Sequence, residues 1–368
     1  MTRFFSRETL RRRLPWLVAG ALLVAASGWW GRGRFRAANP LLESPVLLLA
    51  AVEAGTLYFN GPAYDWLRAR RPELLPPEDR AGPTDRTRAF AQAVLAPPIF
   101  RQADRQQRFD ALLFLGDPSQ YRPLLEHLVA TKDWSLSYVD HWGMIYRRGG
   151  APAWKLTDLE PVRARFAGAA VRDRATFLAQ TGLRLVTARE LPAAQQVLDE
   201  AAQLDARLPE VWNGQAVLHL QRREYAEAIA AADRALALDK DHLPSLATKT
   251  LLLYGTRQFS DAYALSSQLI ARLPEDPNLL FYHAKIAHEA HAFTAEVKAL
   301  KKLIARAEDD DRPVSGYQLY LGQAYVALGD GRGAIDAFMD VLNDPDLPQD
   351  QRDFARENIS RIKKRTGL

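Results

Sequence analysis

The chain has 368 residues, about two ordinary domain lengths, of which 48% are hydrophobic and 25% charged. This composition excludes a disordered chain and a membrane protein with many spans. The lack of cysteine excludes disulfides, iron–sulfur clusters, cysteine zinc sites and cysteine nucleophiles. The net charge is +5, but residues 1–36 hold eight arginines and one glutamate, a net +7, so the other residues sum to −2. The basic excess is therefore local, and we expect no nucleic-acid partner.

Residues 1–36 are predicted to form a basic N-terminus and a membrane anchor. Residues 14–31 carry no charge, and as a helix they would extend roughly 27 Å, close to the hydrocarbon thickness of a bilayer. Five arginines precede this tract and three follow it, which favours a cytoplasmic N-terminus. We therefore expect a signal anchor and a single-pass protein of the inner (cytoplasmic) membrane, with its body on the periplasmic side. A signal peptide cleaved near Ala26-Ser27-Gly28 and a buried core helix are the alternatives.

A small α/β module is predicted for residues 37–155. Short apolar runs bounded by turn residues, and alternation of large and small side chains, predict strands, whereas apolar residues at helical spacing predict a helix. Residues 68–88 contain four prolines and predict an exposed Pro/Arg-rich loop or linker. The predicted elements are a strand at 56–59, a strand at 110–116, a helix at 121–131, and strands at 134–138 and 144–146.

The same stretch resembles the soluble C-terminal module of polytopic membrane glycosyltransferases of the dolichyl-phosphate-mannose type. The resemblance covers about residues 45–150 and is carried by "GTLYFN", "FDALLF" and "WSLSYVDHWGMIYRR". The chain lacks the many membrane helices of that family, and with them the acidic residues on which its catalysis depends. The resemblance therefore implies a non-catalytic relative, such as an accessory subunit of a system for envelope glycan or protein glycosylation.

An internal repeat with a period of about 34 residues is the strongest pattern in the remaining segment, 156–368. With Ala228 placed at position 20 of a frame of that length, Trp212 falls at position 4 and Ala216 at position 8. Equal steps, and one slightly longer final step, place Ala194, Ala228, Ala262, Glu296 and Ala334 at position 20 of successive copies. These offsets resemble tetratricopeptide repeats (TPR), about five of them over residues 174–345, followed by a capping helix from Gln349.

The resemblance implies a solenoid built from pairs of helices. One pair cannot bury its apolar face alone, so neighbouring pairs must stack. Positions 8 and 20 are expected to be small because the two helices of a repeat touch there, and Gly322 with Ala334 is the expected contact of the fifth repeat. The predicted fold is thus mainly α: one transmembrane helix, a small α/β module, and a TPR α-solenoid with a capping helix.

In the repeat family, positions 2, 5, 9 and 12 of each first helix line a concave groove that holds a partner peptide. The resemblance therefore implies a membrane-anchored scaffold for protein–protein interaction, whose partner is another protein, a peptide segment or a membrane complex. No cofactor is implied. The set does not match the lysine–asparagine clamp that some members use for a terminal carboxylate. Transferred by position, the groove residues are Asn213, Val217, Leu220, Leu251, Tyr254, Phe281, Lys285, His288 and Gln323.

Other residue clusters are better explained by structure than by chemistry. His283, His288 and His291 share one predicted helix but lack the His-Glu-x-x-His spacing of a zinc site. The acidic run 309–311 lacks the calcium-loop pattern, and the glycine-rich segment 329–333 occupies the turn of a repeat. Asp140-His141 has no serine partner. We therefore predict no metal site, no catalytic residues and no enzymatic activity.

Overall fold

A computed structural model describes residues 57–85, 87, 90, 97–116, 121–149, 154–309, 314–345 and 347–366. The predicted span, residues 14–31, lies outside the described residues. Within the described ranges, none of the helices combines the length and the apolar character needed to cross a bilayer. This finding contradicts the prediction from the sequence that the protein is a single-pass protein of the inner membrane.

The chain divides into two compact units, with a boundary between Thr248 and Lys249. We call the described residues up to Thr248 the N-terminal unit and those from Lys249 onward the C-terminal unit. The domain boundaries predicted after residues 36 and 155 stay predictions.

A four-stranded sheet forms the first part of the N-terminal unit. Its order is β1-β2-β4-β3, with β1 parallel to β2 and the other neighbours antiparallel. Each predicted strand is confirmed, and so is the helix between the second and third. The elements are β1 (Leu57–Phe59), α1 (Gly61–Arg70), α2 (Pro97–Gln107), β2 (Ala111–Leu115), α3 (Arg122–Thr131), β3 (Trp134–Val139) and β4 (Gly143–Arg148).

The described part of the Pro/Arg-rich segment 68–88 is held against α1, unlike the exposed loop or linker predicted. It begins within α1 and forms two short 3₁₀ turns, Pro72–Leu74 and Pro77–Asp79. Asp79 is fully buried, and its backbone carbonyl accepts a hydrogen bond from the Tyr64 hydroxyl at 2.9 Å. Backbone N–H groups of both turns are hydrogen-bonded within the segment, among them those of Leu75 and Asp79, so the prolines lie in an ordered connection.

The described residues from 160 onward form a series of helices. After α4 (Glu160–Arg165), helices follow in pairs, and a single helix ends the series as predicted. The pairs are α5 (Val171–Thr187) with α6 (Leu191–Leu204), α7 (Pro209–Arg222) with α8 (Tyr225–Leu238), α9 (Leu243–Gly255) with α10 (Phe259–Arg272), α11 (Pro277–Glu289) with α12 (Phe293–Asp309), and α13 (Ser315–Leu328) with α14 (Gly331–Asn343); the last helix is α15 (Gln349–Thr366).

The period of these pairs agrees with the predicted frame. Helices α7, α9 and α11 begin at equal intervals along the chain, and α13 begins after the slightly longer step that the sequence predicts. The turn of every pair also contains one left-handed residue at position 15. These are Arg189 (φ 68°), Arg223 (φ 65°), Arg257 (φ 64°), His291 (φ 58°) and Gly329 (φ 79°). Because such a conformation is costly for residues other than glycine, its recurrence at one position shows that the helix pairs are copies of one structural repeat.

The small residue at position 8 lies directly against the large side chain at position 24. A Cβ added to Gly322 would lie 2.6 Å from Cε1 of Phe338, which occupies position 24 of the same repeat. A Cβ on Gly182 would likewise lie 2.7 Å from Cγ of Leu198, also at position 24. Ala334 is fully buried in the same cluster as Phe338. Position 8 is therefore small to admit a large side chain from the second helix.

Candidate interaction site in the C-terminal unit

The predicted groove residues divide into two groups by exposure. Because buried side chains cannot meet a partner, the accessible members of the predicted groove lie on α11 and α13 of the C-terminal unit. Asn213, Val217, Leu220, Leu251 and Tyr254 are buried in the packing of the protein itself, whereas Phe281, Lys285, His288 and Gln323 are half-buried.

Aromatic rings from two helices meet at this surface. The ring centroid of Phe281 on α11 lies 5.9 Å from that of Tyr317 and 5.5 Å from that of Tyr320, both on α13 and both edge-to-face. All three side chains are half-buried and pack on the core that α11, α12 and α13 share. We call Phe281, Lys285, Tyr317 and Tyr320 the aromatic patch. Sequence reasoning missed the two tyrosines because they occupy positions 3 and 6, outside the family's groove positions.

Lys285 places a cation within the aromatic patch. Its Nζ lies 5.3 Å from the ring centroid of Phe281 and 5.7 Å from that of Tyr320, within cation–π range. Burial lowers the pKa of Lys285, and the charge of Glu289 opposes that effect. Among the described residues no carboxylate forms an ion pair with this ammonium. The patch therefore presents a partly desolvated positive charge.

Burial keeps the hydroxyls of Tyr254, Tyr282 and Tyr320 protonated at neutral pH. Burial raises the pKa of Tyr254 and of Tyr282 to about 12, and it raises the pKa of Tyr320 as well. A protonated phenol can donate one hydrogen bond and accept another. The surface thus combines apolar ring area, neutral hydroxyls and one cation.

The three histidines singled out in the sequence have separate roles. His283 is buried, and its Nδ1 hydrogen-bonds Ser266 Oγ at 2.9 Å. His288 Nδ1 lies 3.0 Å from Glu296 Oε2, and His291 is the left-handed turn residue of its repeat. Within the ranges that the structure describes, no group of three or more histidines and acids is placed to hold a metal ion.

Asp140 and the glycine-rich segment both shape turns. Asp140 Oδ1 accepts hydrogen bonds from the backbone N–H of Trp142 at 2.7 Å and of Gly143 at 2.9 Å. Asp330 Oδ1 accepts one from the N–H of Gly333 at 2.9 Å, which caps α14. These side chains complete local backbone geometry, which accounts for their place in the sequence.

A serine, a histidine and a glutamate that sequence reasoning missed lie together in the N-terminal unit. His242 Nδ1 is 2.7 Å from Ser245 Oγ, and its Nε2 is 3.9 Å from Glu210 Oε1. The contacts from Ser245 to His242 to Glu210 resemble those of a catalytic triad, in which a nucleophile, a base and an acid lie in a row. Ser245 is fully buried, however, and burial lowers the pKa of His242 to about 4 and raises that of Glu210. No substrate reaches this serine, so the cluster is part of the packing at the start of α9.

Comparisons with known proteins agree with the helical part of the fold. A tetratricopeptide repeat family model matches residues 209–242, which are helices α7 and α8 with the turns that join them to α9. This match shows a tetratricopeptide repeat at residues 209–242, and the neighbouring helix pairs follow the same period. No curated protein matches the chain, and no finding supports the resemblance to glycosyltransferase modules or the accessory-subunit function that it implied.

Solved structures with similar helical arrangements share little sequence with this chain. MamA from Desulfovibrio magneticus RS-1, in a form running from residue 41 to its end, is 19% identical, with a TM-score of 0.40 over 47% of this chain and 96% of its own. YrrB, described as a TPR protein with an unusual peptide-binding site, is 15% identical, with a TM-score of 0.45 over 53% of this chain and 97% of its own.

Proposed function

We propose that this protein is a scaffold for protein–protein interaction and that its aromatic patch binds a peptide segment of the partner. The observation that carries the proposal is the meeting of Phe281, Tyr317 and Tyr320 at one half-buried surface. Aromatic rings lose little conformational entropy on binding and dominate the energetics of many interfaces. The repeated helix pairs, one of which matches the tetratricopeptide repeat model, are consistent with this use.

Lys285 indicates the chemistry of the peptide. Its ammonium has lost part of its hydration, which lowers its pKa, and it lies beside the rings of Phe281 and Tyr320, with the charge of Glu289 opposing the effect of burial. A carboxylate of the ligand would supply the missing counter-charge in a site where water screens it weakly. We therefore expect a peptide that carries an acidic group beside apolar or aromatic side chains.

Replacing two rings of the aromatic patch is expected to abolish most of the affinity. Peptides are selected from a displayed random library against the intact chain, and the dissociation constant of the strongest is measured by calorimetry. The double variant Phe281→Ala/Tyr320→Ala should bind more than tenfold more weakly, a loss of about 1.4 kcal/mol or more. Both side chains are half-buried, so the melting temperature reports whether the fold is intact.

The matched control is Tyr225→Ala on α8, where the tyrosine is 37% exposed. This variant should bind the peptide as the wild type does. Tyr254 is unsuitable for the test because it is only 6% exposed, so its truncation would weaken the fold itself. If the folded double variant binds with the wild-type dissociation constant, the aromatic patch is not the binding surface.

A further inference from the structure

The fourth helix pair departs from the others at position 20. Four pairs have alanine there, whereas α12 has Glu296, which is only 3% exposed. Its two carboxylate oxygens lie 3.1 and 3.0 Å from Nδ1 of His288, in the last turn of α11. A carboxylate thus occupies a helix–helix contact that the other four repeats fill with a methyl group.

The His288 imidazole is the partner that makes this burial tolerable. An isolated carboxylate in a buried site is costly unless it is paired and hydrogen-bonded. Two carboxylates act on the imidazole, Glu296 from α12 and Glu289 from its own helix; among the described residues, neither α10 nor α13 contributes a charge. The Phe293 ring lies edge-to-face to the imidazole at a centroid distance of 5.8 Å, and the His288 side chain is 42% exposed.

We propose that Glu296 and His288 form a pH-sensitive lock between the two helices of the fourth repeat. When His288 is protonated, the buried carboxylate has a full counter-charge and the helices are held together. When His288 is neutral, Glu296 keeps a hydrogen bond but loses that charge, and the repeat opens more readily. Because α11 also carries Phe281 and Lys285, the lock would determine how firmly half of the aromatic patch is held, but its own action does not depend on the proposed function.

The direction of the pH dependence follows from the pKa of His288. The hydrogen bond to Glu296 raises this pKa above its ordinary value of 6.5, against the opposing effect of burial. A raised pKa in the folded state means that the stabilisation is complete below pH 6.5 and is lost as the pH rises through the folded-state value. Opening should therefore increase as the pH rises above 6.5.

Hydrogen–deuterium exchange of α11 and α12 in the full chain tests the lock. After correction for the intrinsic exchange rate, wild-type opening should be at least about threefold greater at pH 8.5 than at pH 6. Glu296→Ala should remove this difference, and the variant is expected to fold because alanine fills the position in the other repeats. His288→Gln should remove it as well, since glutamine keeps a donor but carries no charge.

A second measurement and a control keep the result specific. NMR titration should show the pKa of His288 falling toward 6.5 in Glu296→Ala. His219 and Glu224 form another such pair, at 2.7 Å, in the N-terminal unit, but the Glu224 side chain is 42% exposed whereas that of Glu296 is 4% exposed. His219→Gln should leave the exchange of α11 and α12 as in the wild type. A wild type whose corrected exchange is independent of pH, or a Glu296→Ala variant with unchanged pH dependence, would overturn the proposal.

Discussion

Phe338→Ala is expected to lower the free energy of unfolding of the C-terminal unit by about 3–5 kcal/mol. The Phe338 ring is fully buried and lies against Gly322, whose missing side chain provides the space that the ring fills. Val341, Ala355 and Ile359 belong to the same cluster, which joins α14 to the final helix α15. Removing the ring would leave a cavity that these side chains can only partly close. Urea denaturation followed by circular dichroism measures the loss.

Met339→Ala provides the control from the neighbouring position of the same helix. Met339 is 44% exposed, so its truncation should change the free energy of unfolding by no more than about 0.5 kcal/mol. Equal losses for the two variants would show that Phe338 does not fill the space beside Gly322.

Ala334→Leu is expected to cost about 1–3 kcal/mol by overpacking. Ala334 occupies position 20 of the fifth repeat and is fully buried in the cluster that contains Phe338 and Val341. A leucine would need space that these side chains already take, so it would force strained rotamers or a shift of α14. A lower melting temperature in a thermal scan would report that strain.

The matched control is Ala327→Leu on α13, an exposed alanine. It adds the same atoms to a helix surface and should leave the melting temperature within about 1 °C of the wild-type value. A wild-type melting temperature for Ala334→Leu would contradict the repeat frame, because only a surface alanine accepts a leucine without cost.

The helix pairs were predictable because their determinants repeat along the sequence. Alanine at position 20 and a small residue at position 8 recur at a fixed period, and the observed helices begin at the positions that the period gives. The strands of the sheet were predictable for a similar local reason, since each is a short apolar or alternating run bounded by turn residues. Local pattern thus determined the elements in both parts of the chain.

The composition of the interaction surface was only partly predictable. The family positions identified Phe281 and Lys285, but they also selected Tyr254, which the fold buries. Tyr317 and Tyr320 join the patch because α13 packs beside α11, a tertiary contact that no single-helix rule contains. Two aromatic residues three positions apart on the first helix of a repeat were the available signal.

The contact with His288 also accounts for the glutamate at position 20 of the fourth repeat. From the sequence, Glu296 reads as a degenerate position in a repeat that otherwise uses alanine there. Its partner His288 lies on the preceding helix, eight residues away, and was predicted as a groove residue instead. The sequence contained both residues, but their contact depends on how α11 and α12 pack.

Photocrosslinking to a selected peptide is the most direct test of the central claim, that the aromatic patch binds a partner segment. A benzophenone amino acid is placed either at Gln323, half-buried on α13 beside the patch, or at Lys298, exposed on α12. The account predicts strong crosslinking from position 323, little from position 298, and loss of the product in the Phe281→Ala/Tyr320→Ala background. Crosslinking from position 298 alone, or a product at position 323 that survives the double substitution, would contradict it.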